Sequence, residues 1–173
     1  MGIKAESAQE QEREKIILGI DPGRDKIGFA FAELNSRDLI LSGIFYFAEL
    51  ENFINKLNNF KNLSNLKEDF CEWQRENFIE KFKLNLNKNF ELIIALGDGT
   101  KSREFKIYLE NNLKNKNKII VVNEAGSTLE ARDLYWQLHE PGLLKSLLPR
   151  GMRVPARILD DLAAWAVARR AVI

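Results

Sequence analysis

Cysteine and histidine are nearly missing: Cys71 and His139 stand alone in 173 residues. One cysteine excludes an internal disulfide framework, and the pair together excludes a zinc site built from Cys and His clusters. Apolar runs are short, none near the roughly 20 residues that cross a bilayer. The opening stretch, 1–15, is polar and charged, so it is expected to be a tail rather than a signal or an anchor, and a cytoplasmic setting is expected. A net excess of one sign of charge is also missing, because 26 Lys and Arg face 25 Asp and Glu.

The near-neutral total conceals local asymmetry. Between Lys101 and Lys118, six basic residues face Glu104 and Glu110; from Gly142 onward, six basic residues face Asp160 and Asp161. Such stretches are either solvated helix faces or surfaces for a polyanion.

The apolar pattern predicts a single α/β domain over 16–173. "KIILGID" is a continuous apolar run, as in a strand buried on both faces. "IGFAFAEL" and "LILSGIFYF" follow at hairpin spacing around the turn "NSRD", so an antiparallel meander is expected. Residues 49–89 are rich in Asn, Lys and Glu and predict a helical segment. Leu50, Phe53, Ile54 and Leu57 mark one amphipathic helix there, and Phe70, Trp73, Phe78 and Phe82 a second. "FELIIALG" and "KIIVVNE" are further buried strands. Helices are expected over "SREFKIYLENNLK", "STLEARDLYWQLH" and "ARILDDLAAWAVARRAV". The expected architecture is a five-stranded mixed sheet, a meander plus parallel strands, covered by helices.

Four acids stand at element ends. Asp21 closes the first strand, Asp98 follows the fourth, Glu124 ends the fifth, and Asp160 opens the last helix. Ligands of open α/β sheets gather beyond the carboxyl ends of strands. Carboxylates converging there repel one another unless cations neutralise them, and an all-oxygen set suits Mg²⁺ or Mn²⁺. Two such ions can activate water and stabilise the leaving oxygen in phosphodiester cleavage. Each acid also has a purely structural role open to it. Asp21 can initiate the Asp-Pro-Gly turn, Asp98 can serve the backbone of "GDGT", Glu124 can pair with a base, and Asp160 and Asp161 suit a helix N-terminus. Neighbouring residues on a helix point about 100° apart, so Asp160 and Asp161 cannot serve one site equally. Ser127 and Thr128 are expected at a helix N-cap. Lys101, Arg103, Arg132, Arg150 and Arg153 are candidate phosphate contacts, since arginine matches phosphate with a two-pronged donor set.

These motifs resemble a known group in their order. "LGIDPGRDKIGFA" resembles the first-strand motif of the RuvC/YqgF branch of the RNase H-like superfamily. "LGDGTKSRE" with "VNEAGSTLEARDLY" is similar to the YqgF-like domain of the Tex family, and "DDLAAWAV" to the Asp-led terminal helix of the whole group. The likeness covers about 16–48 and 90–170. It implies an RNase H-like fold and a metal-dependent nuclease of the Holliday junction resolvase type. The substrate implied is structured nucleic acid, a DNA junction or a ribosomal RNA precursor. It further implies Asp21, Glu124 and Asp160 as the catalytic and metal-holding acids, with Mg²⁺ or Mn²⁺; the short apolar runs separately predict no membrane partner. RuvC carries an acid near the end of its fourth strand, which makes Asp98 a fourth candidate catalytic acid, whereas Tex-like sequences have Asn there. It carries another one helical turn before the last, where this chain has Arg157. A homodimer fits a resolvase, which cuts two strands symmetrically. The Tex likeness equally admits a non-catalytic nucleic-acid-binding module. "GIDPG" also matches a phosphate loop of actin-like ATPases, which need two such domains.

Overall fold

The computed structural model describes residues 14–81 and 90–172, without the side chains of 144, 145 and 150. The tail as far as residue 13, Phe82 of the expected second helix and the candidate phosphate contact Arg150 therefore lie outside the described residues.

The strands form one mixed sheet. β1 (Glu14–Pro22), β2 (Lys26–Glu33) and β3 (Leu39–Tyr46) make the expected antiparallel meander. α1 (Leu50–Asn59) and the one-turn α2 (Leu66–Asp69) lead to a short strand, β4 (Gln74–Asn77), which pairs antiparallel with β3. β5 (Phe90–Gly97) and β6 (Lys118–Val122) add in parallel beside β1, giving the order β4-β3-β2-β1-β5-β6. α3 (Ser102–Asn112), α4 (Ser127–Leu138), the short α5 (Leu143–Ser146) and α6 (Asp160–Arg170) complete the chain. The sheet is thus of the RNase H-like type, mixed and flanked by helices, with six strands instead of five.

The sixth strand corrects the sequence pattern. Phe70, Trp73 and Phe78 do not share a helix: α2 stops at Asp69, and the chain turns through Phe70 and Trp73 into β4. Phe70 and Trp73 are buried all the same, against Phe29, Phe45 and Phe53. An open edge on β3 presents unpaired amide groups, and β4 satisfies them. Its residues, Gln-Arg-Glu-Asn, carry no strand propensity that would have announced it.

The two faces of the sheet are packed differently. Because side chains alternate along a strand, Ile16, Leu18, Ile20, Phe29, Phe31 and Phe45 fill the face under α1 and α3. Ile17, Ala30 and Ala32 line the other face, under α4 and α6. That second face is lined by small residues, and α6 answers with Ala163, Ala164, Ala166 and Ala168. Contact there is backbone to backbone. A Cβ built on Gly19 would fall on the carbonyl of Ala164, and one on Gly28 would fall on the carbonyl of Asp160. The far end of α6 is held by Arg37, which donates to the carbonyls of Ala168 (3.3 Å) and Ala171 (2.9 Å).

Gly28→Ala should therefore destabilise the protein by about 3 kcal/mol in urea unfolding, because α6 must back away from β2 to admit the methyl group. A change within about 0.5 kcal/mol, the range of ordinary surface substitutions, would contradict the close approach.

Candidate functional site: an acid pair at the carboxyl edge of the sheet

Alternation along β1 places Asp21 on the same face as Ile17 and Gly19, the face covered by α6. Asp21 pairs in register with Gly28, the residue on which the first turn of α6 rests. The first-turn residue Asp160 is thereby brought over the end of β1. Glu124 arrives from the next-but-one strand, just beyond β6, and is in hydrogen-bonding contact with Asp21. Asp21 and Glu124 thus meet at one edge, with Asp160 near enough for its charge to act on Asp21.

Two glycines make room for Glu124. A Cβ on Gly97 or on Gly99 would collide with its carboxylate. Asp98, between them, acts on the backbone. Its Oδ1 accepts the backbone N–H of Glu124 at 2.9 Å, while its own N–H donates to the carbonyl of Val122 at 3.0 Å. Asp98 therefore clamps the ends of β5 and β6 together and positions Glu124, the backbone-serving alternative in "GDGT". Arg170, at the far end of α6, braces the same loop. It donates to the carbonyls of Asn123 (3.1 Å) and Ala125 (3.0 Å) and pairs with Glu130 at 2.8 Å. α4 begins from Gly126, its N-cap, which takes a left-handed φ of 80° that glycine adopts without strain, so neither Ser127 nor Thr128 caps the helix.

The electrostatics are those of crowded carboxylates. Burial, then the charges of Glu124 and Asp160, and the hydrogen bond to Glu124, push the Asp21 carboxyl from an ordinary 3.8 up to about 7. Burial raises Asp160 as well, with Asp161 adding to the rise and the Lys26 ammonium opposing it. Glu124 Oε2 is buried with no hydrogen-bond partner among the described residues. Protonated Asp21 can donate to Glu124; ionised, the two acids face each other uncompensated. Only a proton or a cation relieves that arrangement. The oxygen-only donors and the partnerless Oε2 fit a hard divalent ion such as Mg²⁺ or Mn²⁺. Among the described residues, however, no group of three or more His, Cys, Asp or Glu side chains is arranged to hold a metal ion.

The adjacent aspartates divide as helical geometry requires. Asp161 is fully buried, with Oδ2 accepting from Ser42 Oγ at 2.7 Å and Oδ1 paired to Arg157 at 2.7 Å. Arg157 also reaches Glu76 on β4 at 2.6 Å, and Glu76 meets His139 at 2.7 Å. Arg157 thus fixes the connection leading into α6 to β3 and β4, and because 155–159 is loop, the helix begins at Asp160 instead of Ala156. Sequence reasoning did not foresee Arg170, Glu76, Ser42 or the bracing role of Arg157. Only the glycines flanking Asp98 hinted that something close-packed follows β5.

The candidate phosphate contacts separate into two groups. Arg132 donates to the carbonyls of Gly151 (3.3 Å) and Arg153 (3.4 Å), and Arg153 to those of Leu148 (2.9 Å) and Ser146 (3.0 Å), so both hold the segment before α6. Lys101 and the exposed Arg103 stand at the start of α3, directly after the glycine turn beside Glu124.

No family model, curated protein or solved structure matches the chain. Among the described residues no helix is long and apolar enough to cross a membrane.

Two measurements probe this geometry. Native Asp21 holds its proton more tightly than the unfolded chain does, so its contribution to stability falls as pH rises from about 4 to 7. In metal-free protein, Asp21→Asn should gain on wild type by about 2 kcal/mol more at pH 8 than at pH 5. A gap that does not change with pH would show that Asp21 is not crowded. Asp161→Ala leaves the Arg157 charge half-compensated and should cost about 3–5 kcal/mol in the same unfolding assay; a loss below about 1 kcal/mol, the scale of an exposed ion pair, would mean the network is solvent-screened.

Proposed function

We propose that this protein is a divalent-metal-dependent nuclease of the RuvC/YqgF type, acting on structured nucleic acid such as a Holliday-junction-like DNA or a ribosomal RNA precursor. The observation that carries the proposal is the Asp21–Glu124 pair, with its partnerless buried oxygen, at the carboxyl edge of an RNase H-like sheet. Metal ligands are acids of this kind in the group that the motifs resemble.

In this reading Asp21 and Glu124 hold Mg²⁺ or Mn²⁺, with Asp160 adding negative charge from α6. A bound divalent ion would supply Lewis-acid stabilisation of charge developing on the phosphate. Asp98 and Arg170 keep Glu124 in place. Lys101 and Arg103 draw the polyanion to the edge of the sheet, and the Asp21 and Glu124 carboxylates orient water. A homodimer would let two such edges act on two strands.

A second reading treats the domain as a non-catalytic nucleic-acid-binding module. It is favoured by the lack, among the described residues, of a ready three-group metal cage, and by Arg157 standing where RuvC has an acid. The two readings part on one experiment. Labelled junction DNA and ribosomal RNA precursor are incubated with wild type and Asp21→Asn, with Mg²⁺, with Mn²⁺ or with EDTA. The nuclease reading expects metal-dependent cleavage by wild type and a loss of about a thousandfold in the variant, equivalent to ~4 kcal/mol of transition-state stabilisation. Binding without cleavage under every condition would transfer the assignment to the binding module.

A further inference from the structure

We propose that Tyr46 and Phe47, together with Lys26 and Lys101, form a stacking subsite for unpaired nucleotides next to the acid pair. The proposal rests on the nucleic-acid reading above and specifies which form of the polymer the site selects.

Most aromatic rings among the described residues are buried, and Phe29, Phe31, Phe45, Phe53 and Phe70 fully so. Tyr46 and Phe47 break the pattern. They are consecutive, at the carboxyl end of β3, and remain 58% and 41% exposed. Each ring has a lysine ammonium over it, Lys26 at 5.9 Å from the Tyr46 centroid and Lys101 at 4.5 Å from that of Phe47. Two exposed rings, each with its own cation, offer π faces for bases and positive charge for the backbone that carries them.

The rings are also held in place by their backbone. The Tyr46 N–H donates to Glu49 Oε2 at 2.8 Å, and the Phe47 N–H to the Asp25 carbonyl at 2.9 Å. Glu49 is fixed in turn, because its Oε1 accepts Trp73 Nε1 at 3.0 Å. Lys101 Nζ donates to the Arg24 carbonyl at 3.2 Å, tying the start of α3 to the turn between β1 and β2. A platform fixed in this way loses little conformational freedom when a base settles on it.

Its place in the fold links it to the acids. Lys26 pairs in register with Tyr46, and Gly28, two residues along the same strand, pairs with Asp21. With strands about 4.8 Å apart and a rise of about 3.4 Å per residue, Tyr46 lies roughly 12 Å from Asp21 at the backbone. That is a few nucleotides of an extended strand. Lys26 serves both places, since its charge also acts on Asp160. In an intact duplex the faces of each base are covered by neighbouring bases, so such rings can engage only nucleotides that have left the stack, at a branch, a gap or a loop.

The test is fluorescence anisotropy in EDTA, where no cleavage occurs, with a labelled duplex and with the same duplex interrupted by a short single-stranded gap. Tyr46→Ala and Phe47→Ala should each weaken binding of the gapped probe about tenfold, and that of the intact duplex by less than about twofold. Tyr46→Phe, which keeps the ring, should bind the gapped probe as wild type does. Equal losses on both probes, or no loss on the gapped one while wild type binds it, would overturn the subsite and leave the nuclease reading standing. If wild type binds neither probe, both proposals fall.

Discussion

Everything at the carboxyl edge depends on how closely α6 approaches the sheet. Two glycines, Gly19 on β1 and Gly28 on β2, let the helix backbone rest on the strand backbone, with alanines filling the remaining space. A helix separated from the sheet by ordinary side chains would carry Asp160 farther from Asp21. The asymmetry of the sheet follows from this requirement. The fully buried phenylalanines among the described residues lie on the opposite face, where α1 and the turn after α2 have room for them. Dense packing of large rings on one side supplies the burial that small residues on the other side forgo.

Charge is handled in two contrasting ways within a few residues. Asp161, wholly buried, is compensated by Arg157 and Ser42, and Arg157 is shared with Glu76. Buried ion pairs of this kind contribute more to a defined arrangement than to net stability. They hold the start of α6 in one position, so Asp160 has little freedom beside Asp21. Among the described residues, Asp21 and Glu124, in contrast, have no basic partner at hydrogen-bonding distance, and a carboxylate oxygen of Glu124 is left without any. The same few turns of chain thus neutralise one acid thoroughly and leave a pair in tension. That contrast is what the proposed function rests on, since perturbed acids of this kind gather at functional sites.

The main lines of this arrangement were legible from residue pattern alone. Continuous apolar runs marked β1, β5 and β6, turn residues marked the meander, and Asp21, Glu124 and Asp160 could be placed at element ends. The preference for Asp160 over Asp161 came from the family pattern that the last helix resembles; helical geometry said only that the two could not serve one site equally, and Asp161 is fully buried. What was not legible arose from tertiary contacts. β4 exists because β3 has an edge to fill, and its polar residues carry no signal of their own. The aromatic spacing of 70–82 imitated a helix, since residues buried around a turn can fall three and four apart by accident. Asp98 could be placed at the site but not given its role, because a backbone clamp and a catalytic acid look alike in a sequence. Arg170 could not be linked to Glu124 at all, being 46 positions away along the chain.

α6 touches the acid edge twice, through Asp160 at its start and through Arg170, which grips the loop of Glu124, at its end. The strand that bears Asp21 lies 139 positions earlier than Asp160. Joining such distant segments is the costliest kind of loop closure, and contacts of this range form slowly in folding. The meander can pair from local contacts alone, yet a chain whose α6 has not docked cannot present the three carboxylates together. An edge assembled in this way does not exist in a partly folded chain, and its acids come together only when the whole domain is in place.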